Sequence, residues 1–443
     1  MKFDVVIVGG GLAGMAAGIS LQKAGLSTAI ISGGQNALHF FSGTFESLTV
    51  PEPRLATLFQ EAGIPVHYKE GVRLMPLGSF RPAALSLEDI SIFDKPKIGR
   101  KALVVNFLGY HDFFSSFLAD GLEKEGMECR IRFISLPELE QLQLSPSEMR
   151  SVQIARKMDR VWEKVVQEVR VLLKDEDTVV LPQVFGLLDP SVPSRIRQGI
   201  PAQVVFAGTM PPSVPGIRTQ MLLKRRFEVL GGTFLGGDEA LRAHIHQGVV
   251  HSIVTRNLDS HYIEGQWFIL ATGGYFSKGL RTNPFEVSEP VFGLDVESAP
   301  DRNEWYNPSF AGDQPYMAYG VKTDETLHGF RDGAPLQNLL AIGSVLGATR
   351  KEFGSAAGMA INTAFAACDE ILRRSAPQDD TCHSERSPKG DTCHSERSPK
   401  GDTCHSERSP KGDTCHSERS PKGDTCHSER SPKGEAEESQ KEM

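Results

Sequence analysis

Three glycines near the N-terminus have the spacing that lets a backbone approach a phosphate. Gly9, Gly11 and Gly14 form a G-x-G-x-x-G pattern directly after the apolar run 5–8. In a strand–turn–helix unit these glycines make the tight turn, admit a phosphate or pyrophosphate, and let the helix pack closely on the strand. The helix predicted over 12–23 then offers free N–H groups and a positive dipole end to the anion. The pattern predicts a nucleotide or flavin site; the alternative is a glycine-rich turn that only packs a βαβ unit.

The second predicted strand, 27–31, ends without an acidic residue. A carboxylate at that point usually accepts hydrogen bonds from the hydroxyls of an adenosine ribose. Here Ser32 is followed by two glycines and Gln35. Two explanations stay open: neutral groups hold the ribose of a dinucleotide such as FAD, or the ligand has no adenosine half, as in FMN.

The end of the chain differs from the rest in composition. Residues 380–434 are five tandem copies of an eleven-residue unit, D-T-C-H-S-E-R-S-P-K-G, which contains no large apolar residue. Such a segment cannot bury enough apolar surface to offset the entropy of ordering its backbone. We therefore predict that residues 380–443 form a disordered tail.

The cysteine pattern predicts no metal site. Five of the 7 cysteines lie in the repeats as Cys-His dipeptides, whose eleven-residue spacing lacks the close pairing of zinc sites. Cys129 and Cys368 are the two others, too few for a disulfide framework or a four-cysteine iron–sulfur cluster. This usage fits a reducing compartment.

Charge and hydropathy argue against a nucleic-acid partner and against a transmembrane helix. The 443-residue chain carries a net charge of -8, of which about -5 belongs to the body, because the repeats are neutral and residues 435–443 carry -3. An acidic body argues against nucleic acid as a partner. No run of eighteen apolar residues predicts a transmembrane helix, and the first strand begins too early for a signal peptide. We expect a cytoplasmic protein that docks on a membrane only through a partner.

Strand and helix patterns alternate along the body, which predicts an α/β fold of two domains. The apolar strand 267–270 ends in Ala-Thr-Gly-Gly, and a further strand at 338–342 leads into Gly343 and Ser344. We interpret 1–60 as the first part of a nucleotide-binding domain, 61–250 as an inserted α/β cap or substrate domain, and 251–375 as the return of the first domain. The sequence Ser-Pro-Ser-Glu at 145–148 predicts the start of a long helix.

Four longer motifs carry a resemblance to a known family. They are ALHFFSGT at 37–44, MPPSVPGIR at 210–218, GLDV at 293–296 and GVKTDETL at 320–327. Together with the glycine turn they resemble the B subunit of the anaerobic glycerol-3-phosphate dehydrogenase, a flavoprotein with a split Rossmann-like flavin-binding domain. The resemblance runs from Met1 to about Arg374. The repeat tail departs from it, and residues 49–62 look shortened.

The resemblance implies an FMN-containing subunit (FAD is the alternative) of a three-subunit enzyme. That enzyme oxidises sn-glycerol 3-phosphate to dihydroxyacetone phosphate and delivers electrons to menaquinone, with fumarate or nitrate as terminal acceptor. A second flavoprotein subunit forms the catalytic dimer with the first, and an iron–sulfur subunit anchors both to the inner face of the cytoplasmic membrane. We expect the second flavoprotein to oxidise the substrate and the FMN of this chain to relay electrons.

Site residues follow from the motifs. If this subunit holds the substrate, Arg218 is the candidate for its phosphate and His39 the candidate base; a salt bridge for Arg218 and a backbone hydrogen bond for His39 are the structural alternatives. The residues predicted to bind the cofactor are Gly9, Gly11, Leu12, Ala13, Gly14, Ser32, Ser42, Gly43, Thr272, Gly273, Gly343, Ser344, Gly358 and Met359. Two other classes stay open, a stand-alone FAD-dependent oxidoreductase of the fumarate-reductase type and a cofactor-free assembly subunit.

Overall fold

The computed structural model describes residues 1–34, 36–45, 53–94, 101–145, 147–258, 261–347 and 356–375. Residues Met1–Gln378 form one compact unit. The predicted tail, 380–443, lies outside the described residues, as do positions 49–52 of the segment that looks shortened and Gly354 and Ser355 at the approach to the last helix.

The described chain contains both helices and strands, as the sequence predicts for an α/β fold. They alternate in its first part, whereas ten strands follow one another between Thr233 and Ala341. The helices are α1 (Leu12–Lys23), α2 (Arg54–Glu61), α3 (Ser115–Lys124), α4 (Glu140–Gln143), α5 (Ser151–Leu172), α6 (Val192–Gly199), α7 (Val214–Val229) and α8 (Ala356–Ser375). The strands are β1 (Lys2–Val8), β2 (Thr28–Ser32), β3 (Thr44–Phe45), β4 (Val66–Leu74), β5 (Phe80–Leu87), β6 (Lys101–Phe107), β7 (Glu128–Ile134), β8 (Thr178–Pro182), β9 (Gln203–Ala207), β10 (Thr233–Gly236), β11 (Ala240–His246), β12 (Val249–Thr255), β13 (Ile263–Leu270), β14 (Arg281–Thr282), β15 (Val287–Ser288), β16 (Val296–Glu297), β17 (Gly320–Val321), β18 (His328–Arg331) and β19 (Ala334–Ala341).

The largest sheet has a parallel centre in the order β10-β2-β1-β13. On the far side of β13, the antiparallel β12 pairs with its first half and the parallel β19 with its second half. Residues 5–8 of β1 are at most 4% exposed, because a parallel strand covered on both faces requires a continuous apolar run. Helix α1 packs on β1 and β2 of this sheet and against α7 and α8, and α7 also packs on β10. The predicted fold class, a Rossmann-like nucleotide-binding sheet, is confirmed.

A second parallel sheet, in the order β7-β6-β8-β9, has a hydrophobic core of its own. Helix α5 contributes an apolar stripe to this core, which includes Ile154, Met158 and Val165. The predicted helix start at Ser145 is wrong: the helix begins at Ser151, whose backbone N–H donates to the Asp112 carboxylate at 3.2 Å. Capping therefore comes from a distant loop, and Ser145 forms a turn with Glu148 instead.

The large sheet takes strands that the sequence assigns to the inserted part. Strand β10 pairs with β2, and β11 and β12 join the other side, so the chain returns to this sheet at Thr233 and not at 251. The sequence misses this point because β10 is only four residues long. The division into a flavin part and an inserted part stays a prediction. Among the described helices, none has the length and apolar composition that crossing a bilayer requires.

Candidate functional site

Two of the three glycines in the turn lie too close to neighbouring backbone atoms to carry a side chain. Gly9 has a φ of +121°, and a Cβ there would lie 2.2 Å from the Ala271 carbonyl oxygen at the end of β13. A Cβ on Gly14 would lie 1.9 Å from the Gly9 oxygen. Gly11 differs, because the nearest atom to its Cβ would be Asn36 Cβ at 3.9 Å. The first and third glycines therefore serve packing, and the second faces open space.

Helix α1 presents its N-terminal amides at this open space. Its first helical hydrogen bond runs from Met15 N to Gly11 O at 2.9 Å, so the amides of Leu12 and Ala13 precede the helical ladder. The first turn contains no acidic residue. Such a helix end favours a phosphate through its free N–H groups and its dipole.

A cavity of about 700 Å³ lies over the turn, within the range of cofactor sites. Its lining includes residues of the segment 37–44, Gly343 and Ser344, and Ala357 and Ala360 of α8. It also includes Ser32 at the end of β2 and residues 238–240. The glycine turn therefore shares one cavity with the end of β2 and with α8.

Most of the predicted cofactor residues lie together around this cavity. Those that line it are Gly9, Gly11, Leu12, Ala13, Ser32, Ser42, Thr272, Gly273, Gly343 and Ser344. Four others lie behind its wall. Gly14 packs against Gly9, and a Cβ on Gly43 would face Ile90. Gly358 and Met359 lie on α8 between the lining residues Ala357 and Ala360. Residues three apart share one helix face, so the two residues between them face away from the cavity.

Asn36 is a site residue that the sequence does not single out. Its side chain donates to the Gly10 oxygen at 2.9 Å and accepts from the Leu38 N–H at 2.9 Å. It is 8% exposed and lines the cavity. This one side chain therefore joins the glycine turn to the segment that forms the neighbouring wall.

Two phenylalanines stand at the rim of the cavity. Phe40 and Phe276 make an edge-to-face contact with ring centroids 4.4 Å apart, and they are 50% and 63% exposed. Both line the cavity. Their contact joins the segment after Asn36 to the loop after β13.

A carboxylate lies near the end of β2, although β2 itself ends without one. Glu239 lines the cavity, and a Cβ on Gly33 would lie 3.6 Å from its Cα. It already binds two guanidinium groups, Arg256 at 2.5 Å and Arg281 at 3.2 Å. The sequence could not reveal this carboxylate, because Glu239 lies in the connection between β10 and β11, far along the chain from β2.

Arg218 does not line the cavity. Its guanidinium binds the Asp89 carboxylate at 2.8 Å and the Gly186 oxygen at 3.0 Å, and it is 6% exposed. Its role as a phosphate ligand would require breaking this buried pair. The structural alternative, a salt bridge, is the one observed.

His39 is half-buried and is likewise absent from the cavity wall. Burial holds its pKa below the usual value, and a side-chain hydrogen bond with Gln220 of α7 offsets part of that effect. Its backbone oxygen accepts from Ser213 N at 2.7 Å. The imidazole therefore contacts α7, and the arrangement gives no support to a role as the base.

The glycine turn and the cavity over it are typical of a domain that binds a nucleotide cofactor, and a match to a protein family supports this interpretation. A family model described as an FAD binding domain matches residues 4–55 and 49–359. A structural similarity to 3-ketosteroid delta1-dehydrogenase from Sterolibacterium denitrificans is weak, with 10% identity and a TM-score of 0.39 over 84% of this chain and 100% of that one.

The relatives found by sequence point to a narrower family than the FAD binding domain. The B subunit of the anaerobic glycerol-3-phosphate dehydrogenase of Pectobacterium atrosepticum is 34% identical over 424 residues, which cover 85% of this chain and 100% of the relative. The protein of the same name from Yersinia pseudotuberculosis is 34% identical over 85% of this chain and 99% of the relative. The chain belongs to the family of the anaerobic glycerol-3-phosphate dehydrogenase B subunit, and it is a flavoprotein oxidoreductase.

Proposed function

We propose that this chain is the FMN-containing subunit of a complex that oxidises sn-glycerol 3-phosphate to dihydroxyacetone phosphate in anaerobic glycerol degradation. Electrons pass toward menaquinone, with fumarate or nitrate as terminal acceptor. The observation that carries the proposal is the cavity of about 700 Å³ over the glycine turn, on a chain whose relatives bear this enzyme's name.

The residues of the cavity fit a flavin mononucleotide. The amides of Leu12 and Ala13 would hold its phosphate, and Ser42, Gly343 and Ser344 would surround its ring system. Gly11 leaves the space that the phosphate needs. A bound flavin supplies two-electron redox chemistry, while the protein orients it and excludes water.

FMN is favoured over FAD because strand β2 ends in Ser32 with no carboxylate. Two carboxylates from beyond β10 line the cavity near this strand end. Glu239 is bound by two arginines, and Asp238 accepts from Asn257 N at 2.9 Å. FAD is the second candidate, because the cavity lining also includes residues 238–240, where an adenosine half would fit.

The proposed partners carry the electrons onward from this chain. Among the described residues of the chain itself, no group of three or more His, Cys, Asp or Glu could hold a metal ion. We propose a second flavoprotein subunit and an iron–sulfur subunit that holds the complex at the cytoplasmic face of the membrane.

Identification of the released flavin tests the proposal. The full chain is purified, denatured, and its supernatant separated by chromatography against FMN and FAD standards. One FMN per chain supports the proposal, and FAD supports the second candidate. A colourless protein with no flavin in the supernatant would favour the cofactor-free assembly subunit.

A further inference from the structure

A group of exposed aromatic side chains lies on the loops between β13 and β17, beside the rim of the flavin cavity. They are Phe276, Phe285, Tyr306, Phe310 and Tyr316, with exposed fractions of 63%, 87%, 57%, 100% and 41%. Single exposed apolar residues are common on protein surfaces, whereas clusters of them mark contact sites. We call this group the 276–316 face.

Contacts between the loops connect the 276–316 face to the cofactor cavity. Phe276 packs against Phe40 at the rim. The neighbouring Tyr275 ring contacts the Tyr316 ring, with centroids 6.2 Å apart, and Tyr316 N donates to the Trp305 oxygen at 3.0 Å. The face therefore begins at the rim of the cavity in which the flavin is proposed to bind.

Polar side chains hold the two outer loops of the face in place. The Arg302 guanidinium donates to the Asn283 backbone oxygen at 3.3 Å, and the Asn283 side chain accepts from two backbone N–H groups of the turn that carries Phe285, at 2.8 and 3.0 Å. Gln314 donates to the backbone oxygen just before Phe310 at 3.0 Å. Both phenylalanines are therefore presented to solvent on backbone that is fixed by hydrogen bonds.

The exposed aromatic area suits a protein contact. At about 150–250 Å² for a fully exposed aromatic residue, the five side chains together present on the order of 700 Å² to solvent. A stable interface buries about 800 Å² on each partner, and the largest apolar patch on a monomer is usually about 300–600 Å². The 276–316 face is therefore large enough to form the centre of a stable interface.

The charges around the face indicate the kind of partner. Among the exposed residues of 276–316, five carboxylates outnumber three basic side chains: Glu286, Glu297, Asp301, Glu304 and Asp313 against Lys278, Arg281 and Arg302. Anionic lipid surfaces attract clusters of Lys and Arg, so an acidic border disfavours a membrane. It favours a protein with basic residues around an apolar contact surface.

We propose that the 276–316 face is the docking surface for the second flavoprotein subunit, whose own contact surface is apolar at its centre and basic at its border. The inference rests on the proposed function, to which it adds the position of this partner. Electron transfer slows steeply with distance, so a partner that exchanges electrons with the flavin has to lie close to the cavity. The face meets this condition because Phe276 also lines the cavity.

The affinity of the full chain for the separately purified second flavoprotein subunit of the same organism tests the surface, by biolayer interferometry. The double variant Phe285→Ala with Phe310→Ala should weaken binding by about 10- to 100-fold, because interface aromatics carry a large share of binding energy. Phe117→Ala with Phe133→Ala is the matched control and should bind normally, since these rings are 59% and 55% exposed on α3 and β7, outside the face.

The acidic border has its own test. Asp313→Lys should slow association with the second flavoprotein subunit at low salt, because it reverses a charge that attracts the partner. High salt should remove this difference, since it screens exposed charges. An association rate that Asp313→Lys leaves unchanged at low salt would contradict a basic border on the partner.

Flavin content, measured on each preparation, separates the docking surface from the proposed function. Absence of flavin from the unsubstituted chain overturns the proposed function. A flavin-loaded chain that does not bind the second flavoprotein subunit overturns the docking surface and leaves the flavin function standing. Equal affinities of the double variant and the unsubstituted chain, or equal losses in the double variant and its control, also overturn the docking surface.

Two other occupants are tested with the chain alone. Vesicles containing phosphatidylglycerol are sedimented with the chain, and its self-association is followed by sedimentation velocity. Vesicle binding or dimerisation that the double variant abolishes would assign the 276–316 face to a membrane or to a second copy of this chain, and would overturn the proposal.

Discussion

The buried arginine Arg218 shows how neighbours decide what a guanidinium can do. It is 6% exposed, and it is bound to the Asp89 carboxylate, which is itself buried. Its guanidinium also donates to the Gly186 oxygen at 3.0 Å. The pair is therefore a structural element, because removing one partner would leave a buried charge uncompensated.

Arg218→Ala should destabilise the fold by about 3–5 kcal/mol, because it leaves the Asp89 carboxylate buried without its partner. Urea unfolding monitored by circular dichroism measures the change. The double variant Asp89→Asn with Arg218→Met should recover part of the loss, since it removes both charges. Normal stability of Arg218→Ala, combined with weaker binding of glycerol 3-phosphate, would instead restore Arg218 as a ligand.

Gly11→Val should lower flavin content without unfolding the protein. Gly11 has an ordinary φ of -78° and room for a Cβ, so the added side chain occupies the space over the turn that a phosphate needs. Flavin absorbance per chain and thermal unfolding are measured together. Ala24→Val, at the exposed far end of α1, is the control and should keep its flavin. Full flavin content in Gly11→Val would contradict the assigned phosphate position.

At the scale of elements, α7 connects the cofactor wall to the second parallel sheet. A Cβ on Gly216 would lie 1.8 Å from the Leu38 oxygen, so the helix rests directly on the backbone of the segment that lines the flavin cavity. The Ser213 hydroxyl also donates to the Phe41 oxygen. The position of this segment is therefore determined by a helix that lies more than 170 residues further along the chain.

Gly216→Ala should reduce stability and flavin affinity together, because the methyl group forces α7 away from the cavity wall. We expect a loss of about 1–3 kcal/mol, as for other overpacked sites, in urea unfolding, together with faster release of flavin on dilution. Met221→Ala changes an exposed residue of the same helix, 49% exposed, and should alter neither. A loss of stability with unchanged flavin release would separate α7 from the site.

The second sheet contains an ion pair whose contribution depends on pH. Arg130 of β7 binds Glu176, in the turn before β8, at 2.5 Å, and this hydrogen bond lowers the pKa of Glu176 to about 2. A carboxyl whose folded pKa lies below its unfolded value stabilises the fold above the unfolded pKa, and this contribution is lost as pH falls through the folded pKa.

Glu176→Gln should therefore cost about 2–3 kcal/mol at pH 7, with a smaller difference from the unsubstituted chain at pH 3. Urea unfolding at both pH values measures it. Glu128→Gln is the control, because the Glu128 side chain is 80% exposed and exposed pairs contribute little. A difference that stays constant from pH 7 to pH 3 would contradict the assignment to this ion pair.

At the scale of the whole molecule, residues Met1–Gln378 contain the two cores and the cavity over the glycine turn. The relatives reach almost their full length within the matched part of this chain. The repeats at 380–434 contain no large apolar residue that could add to either core.

A chain that ends at Gln378 should therefore fold and bind flavin as the full chain does. Thermal unfolding and flavin content are compared between the two lengths, and we expect both to agree within error. A loss of flavin or of thermal stability on shortening would assign the repeats a role in the folded body.

Elements with a local signal could be predicted from the amino-acid sequence. The apolar run 5–8, the spaced glycines and the helical pattern after them predict strand, turn and helix, because burial on both faces and close backbone approach restrict the residues allowed at each position. Ten of the fourteen predicted cofactor residues line one cavity for the same reason. The four that do not are neighbours of lining residues, whose orientation depends on how their element is rotated.

Contacts between groups that are distant in the sequence could not be predicted in this way. Asp89 takes Arg218 out of the site across 129 positions of sequence, Glu239 reaches the end of β2 from another strand connection, and Phe276 meets Phe40 at the cavity rim. No periodicity records such contacts, because they depend on the packing of whole sheets and helices. The sequence therefore predicts a phosphate-binding turn, and the packing determines which charges surround it.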